Sequence, residues 1–298
     1  MELDPSALPD DLRALIDLAL AVPPNEDARR TAATPHPVTQ VGMVALAWHD
    51  AVREAVSFLG ECTVSLVAGL RGRAYFRRAD LVLLLQQCGA DALPIVSLIS
   101  FLVGLILAFV GAIQLEQFGA TIYVADLVAI AMTREMGAIM VAIVMCGRTG
   151  AAFAAQLGTM KVNQEIDALR VFGIPPVDFL VLPRLVALFV MIPLLTLYAD
   201  VVGILGGLVV ARVMLDLSLV EYWNQTVSAL TLLHVSAGVI KSFAFGLIVA
   251  FTGCLRGLQC GTNAAAVGVA TTSAVVIAIS GVIAADALFA VAFNILGI

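Results

Sequence analysis

The sequence predicts an all-α integral membrane protein with about five transmembrane helices, preceded by N-terminal interfacial helices, on three observations. The 298 residues are 61% hydrophobic and only 13% charged, with a mean hydropathy of +1.03, well outside the balance of soluble chains. The apolar residues come in uninterrupted runs long enough to cross a roughly 30 Å hydrocarbon layer as helices, not in the short alternating segments of outer-membrane strands. Basic residues gather on one side of these runs.

Residues 1–44 read as a cytoplasmic tail and linker, with a short helix over Leu8 to Leu20 and then a stretch rich in proline and charge. The acidic, proline-rich start does not fit a signal peptide. Residues 45–90 read as interfacial. His49, Asp50, Arg53, Glu54 and Glu61 interrupt the apolar stretch from Ala45 to Leu70, so an amphipathic helix at the membrane surface fits better than a span. Arg71, Arg73, Arg77 and Arg78 then precede LVLLLQQ, a pattern suited to anionic lipid headgroups.

Residues 91–298 form the membrane domain. Spans are expected over Ala92 to Leu115, Ile122 to Gly147, Leu185 to Ala211, Leu230 to Leu255 and Ala270 to Phe293. The four arginines before the first span, Arg148, Lys161, Arg170 and Arg184 between the second and third, and Arg256 between the fourth and fifth all choose one side. The N-terminus is therefore expected in the cytoplasm and the C-terminus outside it.

The connection between the second and third spans carries the most specific pattern. Met160, Asn163, Ile166, Leu169 and Phe172 recur at three-residue steps, with Lys161, Glu165, Asp167 and Arg170 between them, which predicts one short amphipathic helix over Thr159 to Phe172. Gly173, Pro175 and Pro176 end it. The pairs Lys161–Glu165 and Asp167–Arg170 add only a few tenths of a kcal/mol each, too little to explain why the helix exists. A generic loop and a surface that receives force from a partner both remain open.

Charges inside the spans are expensive in hydrocarbon and must face protein, water or each other. Arg134 and Glu135 interrupt the second span, and Asp200, Lys241 and Asp286 interrupt later ones. A structural polar contact and the lining of a substrate path are both open for them. Small residues over Gly147 to Gly158 and Gly203 to Gly207 suit close helix or subunit packing. Cys62, Cys88, Cys146, Cys254 and Cys260 lack zinc-like spacing and read as apolar fillers; no metal ligands are expected.

The chain has no GxxxxGK[ST] cradle, no HExxH helix and no nucleophile with its base, and His36, His49 and His234 are too scattered to argue a site. No catalytic residues or cofactor are expected in this chain. Nothing points to nucleic acid. If ATP drives the protein, another subunit binds ATP and Mg.

From Arg134 to Gly207, REMGAIMVAIVMCGRTGAAFAAQLGTMKVNQEIDALRVFGIPPVDFLVLPRLVALFVMIPLLTLYADVVGILGG strongly resembles the MlaE/YrbE family of ABC-transporter permeases associated with MCE proteins. The resemblance extends from about Leu59 to the C-terminus. It implies a bacterial inner or plasma membrane, a second permease copy, two ATP-binding subunits and an extracytoplasmic MCE assembly that together move membrane lipid. By resemblance, Met160 to Phe172 is the coupling helix on the ATP-binding subunit, with Glu165 and Arg170 as preferred contacts. Arg134 and Glu135 match charged positions near the lipid path, and Phe118 falls where it would line the outer cavity.

Some family members carry a STAS domain before the permease. Leu8 to Pro24 looks like the end of one, which implies a possible separate STAS-domain subunit. The chain departs from the pattern at Ala138, often proline, at Pro175, commonly polar, and at Val269 and Ser273, commonly basic. An ion-coupled transporter of a hydrophobic substrate, using the buried charges without an ATPase, and a membrane scaffold are the alternatives.

Overall fold

The computed structural model describes residues 37–71 and 77–297. The Leu8–Leu20 helix, the STAS-like segment and Arg73 lie outside the described residues. Two compact units emerge, residues 1–54 and 55–298. In the first, the described residues belong to α1, Pro37–Leu70, and expose Met43, Val44, Leu46 and Trp48.

The second unit is an all-helical bundle among its described residues. The later part of α1 is followed by α2, Arg78–Cys88, which ends at Gly89, and by α3, Leu93–Glu116. A long helical stretch then runs through α4 (Val124–Ala131), a π-helical turn over Met132–Met136, α5 (Gly137–Met145), a second π turn over Cys146–Gly150, and α6 (Ala151–Val162). The chain continues through α7 (Glu165–Val171), α8 (Leu182–Met214, entered through a π turn at Val177–Val181), α9 (Leu219–Ala229), α10 (Leu232–Leu258) and α11 (Ala264–Leu296).

Among the described residues, five helical stretches are long and apolar enough to cross a membrane: Ala79–Glu116, Thr121–Val162, Val177–Met214, Leu232–Leu258 and Ala264–Leu296. The first and fifth begin before the sequence expectation, at Ala79 and Ala264, and the second and third exceed it at the end nearest α7. The second is not finished at Gly147, and its 42 residues reach well beyond a roughly 30 Å hydrocarbon layer. Local acceptors permit the extension. Arg148 Nη1 donates to Gln87 O at 2.9 Å, and Arg184, buried beside the Phe153 ring, donates to Leu180 O at 2.6 Å and to Gln156 Oε1 at 3.1 Å.

Lipid tails are as apolar as leucine, so these helices are held by close packing and polar contacts and gain little from leaving water. The tightest seam joins α3 and α8. A Cβ on Gly104 would lie 1.9 Å from Gly203 O, so any side chain there would push the two backbones apart. The small-residue run at Gly203 to Gly207 is thus a packing surface inside one chain. All five cysteines are free and buried, filling apolar space as expected.

The one-helix expectation over Thr159 to Phe172 is corrected. Met160 and Lys161 end α6, the chain turns at Asn163 and Gln164, and a separate helix starts at Glu165. Gln164 takes φ 60°, a left-handed conformation that redirects the axis and breaks the three-residue register. The Lys161–Glu165 pair therefore does not form. Lys161 Nζ donates to Leu258 O at 2.6 Å, and Glu165 Oε1 accepts from Asn163 Nδ2 at 3.2 Å.

Candidate functional site

The first locus sits where the second, fourth and fifth spans meet. The π turn over Met132–Met136 places Arg134 and Glu135 in the bundle, and π turns of this kind recur at functional sites. Gly238 lets α10 come up against it, since a Cβ there would lie 2.1 Å from Thr133 O. One turn further along α10, Lys241 is wholly buried and forms an ion pair with Glu135.

Lys241 Nζ also lies 3.1 Å from Asp286 Oδ1 on α11, an ion-pair distance without the alignment of a hydrogen bond. Arg134 Nε lies 3.8 Å from Glu135 Oε1, so the adjacent pair does interact, though weakly by distance. Two cations and two carboxylates balance. A neutral set of this kind is tolerable in a low-dielectric interior because each charge faces its opposite, whereas removing one leaves an uncompensated ion. Lys241 further sits 5.8 Å from the centre of the Phe293 ring.

Sequence reasoning singled out Arg134 and Glu135 but left Lys241 and Asp286 without partners. The structure supplies them. Asp200 is buried and pressed against Gly137, where a Cβ would come within 1.9 Å of Asp200 Oδ1. Phe118 lies on the turn between the first and second spans, 80% exposed, its backbone N–H donating to Leu115 O at 3.1 Å.

The second locus is the α7 end of the bundle. Ile166 is buried and, with Met160 and Leu169, ties α7 to the core. Asp167 and Arg170 pair at 3.1 Å on the exposed side. Beyond them Val171 and Phe172 are 84% and 77% exposed, an apolar tip left uncovered by the described residues. The helix is stopped by Gly173 at φ 73°, and Ile174 N–H closes back on Leu169 O at 3.0 Å.

A cleft of about 500 Å³ opens beside α7, lined by Glu61, Lys161, Asp167, Arg170 and Asp178 among others. Its far wall is α1, anchored by the Phe58–Phe251 ring contact at 5.1 Å and by a hydrogen bond from Ser65 Oγ to Asp178. Among the described residues no three histidine, cysteine or acidic side chains come together as a metal site.

Long apolar helices enclosing a balanced charge cluster, with a short helix braced at one end, define a multi-pass membrane protein of the permease class. The sequence model of the family described as Permease MlaE matches residues 81–292, and the chain belongs to that family. It is 36% identical over 188 residues to a probable ABC transporter permease protein of Rickettsia typhi, covering 63% of this chain and 73% of the relative. A probable ABC transporter permease protein of Synechocystis sp. is 34% identical over 207 residues, 70% of this chain and 78% of its own length. The chloroplastic protein trigalactosyldiacylglycerol 1 of Arabidopsis thaliana is 31% identical over 230 residues, 75% of this chain and 65% of that protein.

Proposed function

We propose that the chain is the membrane-spanning subunit of an ATP-driven lipid transporter, working as a pair of permeases with two ATP-binding subunits and an extracytoplasmic MCE assembly. The observation that carries the reading is α7: a helix braced by Ile166 that holds an uncovered apolar tip, Val171 and Phe172, where a partner can push. Asp167 and Arg170 frame that tip, and Glu165 begins the helix. ATP and Mg belong to the partner. A separate STAS-domain subunit remains a further candidate partner.

In this reading the membrane is a bacterial inner or plasma membrane, with the α7 end and the N-terminus in the cytoplasm and the C-terminus outside; the one-sided basic residues and the five long apolar helices support that orientation. The substrate path runs past Arg134 and Glu135, with Phe118 toward the outer cavity. Family membership supports a permease, and the Arabidopsis relative, named for a galactolipid, supports lipid as the substrate class. Co-purifying the chain with its ATP-binding partner and measuring ATP hydrolysis with and without added phospholipid tests this; lipid-stimulated turnover is expected, and turnover indifferent to lipid counts against it.

The buried Glu135–Lys241–Asp286 set favours one second reading, an ion-coupled transporter that cycles protons through the cluster. That reading requires lipid movement in vesicles driven by a pH gradient alone.

A further inference from the structure

α9 joins the third and fourth spans at the end of the bundle opposite α7, and its eleven residues, LVEYWNQTVSA, have three distinct flanks. At about 100° per residue, Tyr222 and Thr226 fall on one flank, and both are buried. Tyr222 OH donates to Ile204 O at 3.1 Å, and Gln225 Nε2, at the edge of this flank, donates to Asp126 Oδ2 at 2.8 Å. This side is fixed to the bundle.

A second flank is apolar and uncovered: Leu219, Trp223, Val227 and Val220 are 58%, 59%, 55% and 67% exposed and span an arc of about 100°. The third carries Glu221, Asn224 and Ser228, all exposed. Bundle, apolar surface and water-compatible surface thus follow one another around the helix. The apolar flank is also continuous with lipid-facing protein. α8 ends in the exposed Val213 and Met214, and α10 begins with the exposed Leu232 and Leu233, so both spans deliver apolar surface to α9.

We propose that α9 is a membrane-surface helix that lies in the headgroup region of the adjoining leaflet, with Leu219, Trp223 and Val227 dipped toward the acyl chains and Glu221, Asn224 and Ser228 toward water. The occupant of the apolar flank is lipid. An uncharged apolar arc, a tryptophan beside polar neighbours and continuity with two spans are the chemistry of a bilayer interface. A protein partner approaching from the aqueous side would meet the polar flank first. Through Gln225 and Asp126 the helix would tie that leaflet to the end of the second span opposite α7, on the same helical stretch as Arg134 and Glu135. The inference goes beyond the transport reading and stands without it.

The chain has two tryptophans, so Trp48→Phe leaves Trp223 as its only reporter. The full-length W48F protein is reconstituted into phosphatidylcholine vesicles brominated near the headgroup or near the methyl end, and Trp223 emission is compared with that in unbrominated lipid. Shallow bromines are expected to quench roughly half or more of the emission and deep bromines much less, as for a side chain at the interface. The W48F, W223F double variant, which has no tryptophan, gives the background emission in each lipid. Emission unaffected by either lipid overturns the proposal, whether aqueous iodide then reaches Trp223 or a second copy or added partner protein covers it.

Discussion

Lys241 on the fourth span lies 3.1 Å from Asp286 on the fifth while also pairing with Glu135 on the second, so one buried ammonium links three membrane helices. Removing it strands two carboxylates in the bundle. Lys241→Met is expected to cost about 3–5 kcal/mol, the usual penalty for breaking a buried ion set, and to lower the thermal midpoint of the detergent-purified protein. Adding Asp286→Asn should recover much of the loss, because Arg134 and Glu135 then balance alone. Equal midpoints for the single and double variants would contradict the linkage.

Gly238 makes that linkage possible. A Cβ there would meet Thr133 O at 2.1 Å, whereas one on Gly147 meets nothing within 4 Å. Gly238→Ala is expected to destabilise by about 1–3 kcal/mol through forced separation of the helices, and Gly147→Ala to change stability little or raise it slightly. Midpoints from the same thermal assay check the contrast.

At α9, Ser218 Oγ accepts from Glu221 N–H at 3.1 Å, and the Glu221 carboxylate accepts from Ser218 N–H at 2.9 Å. The Ser218 backbone and hydroxyl hydrogen bonds hold the Glu221 carboxyl below its usual range. A depressed folded value means the cap is fully effective above the unfolded pKa of about 4.3 and is lost as pH falls through the folded value. Hydrogen exchange across 219–229 should therefore be steady from neutral pH to about 5 after correction for intrinsic rates and lose protection only below the unfolded pKa. Ser218→Ala should weaken the helix by about 1 kcal/mol even at neutral pH. Protection that rises on acidification would contradict the cap.

Helix α3 of the first span was legible in the sequence almost to the residue, because a charge-free, mostly apolar run from Leu93 to Leu115 leaves a helix in lipid no alternative, whereas the start of the whole stretch at Ala79 was not. The second and third were read short, since Arg148 and Arg184 mark an interface by composition. They remain helical because Gln87 O, Leu180 O and Gln156 accept from them, partners that no local pattern reveals. The break before Glu165 was hidden for a different reason: Gln164, not a glycine, adopts the left-handed turn. Arg134 and Glu135 stood out as charges in an apolar run, but Lys241 pairs across 106 residues, beyond the reach of periodicity.

Asp167 and Arg170 are each about two-thirds exposed. Their pair adds at most a few tenths of a kcal/mol, so Arg170→Ala should leave the thermal midpoint unchanged. The same variant, and Glu165→Ala, should reduce lipid stimulation of the partner's ATP hydrolysis several-fold. Normal stimulation in both would remove these side chains from the contact. A large drop in the midpoint would make them structural.

Movement of labelled phospholipid between the faces of vesicles, with the ATP-binding partner present and ATP supplied, is the most direct measurement of the whole account. Transport is expected for the unaltered chain, to be abolished by a hydrolysis-deficient partner, and to fall at least several-fold in a Val171→Ala, Phe172→Ala variant that assembles normally. Lipid movement that continues without any ATPase, or follows a pH gradient alone, would contradict an ATP-driven permease worked through α7.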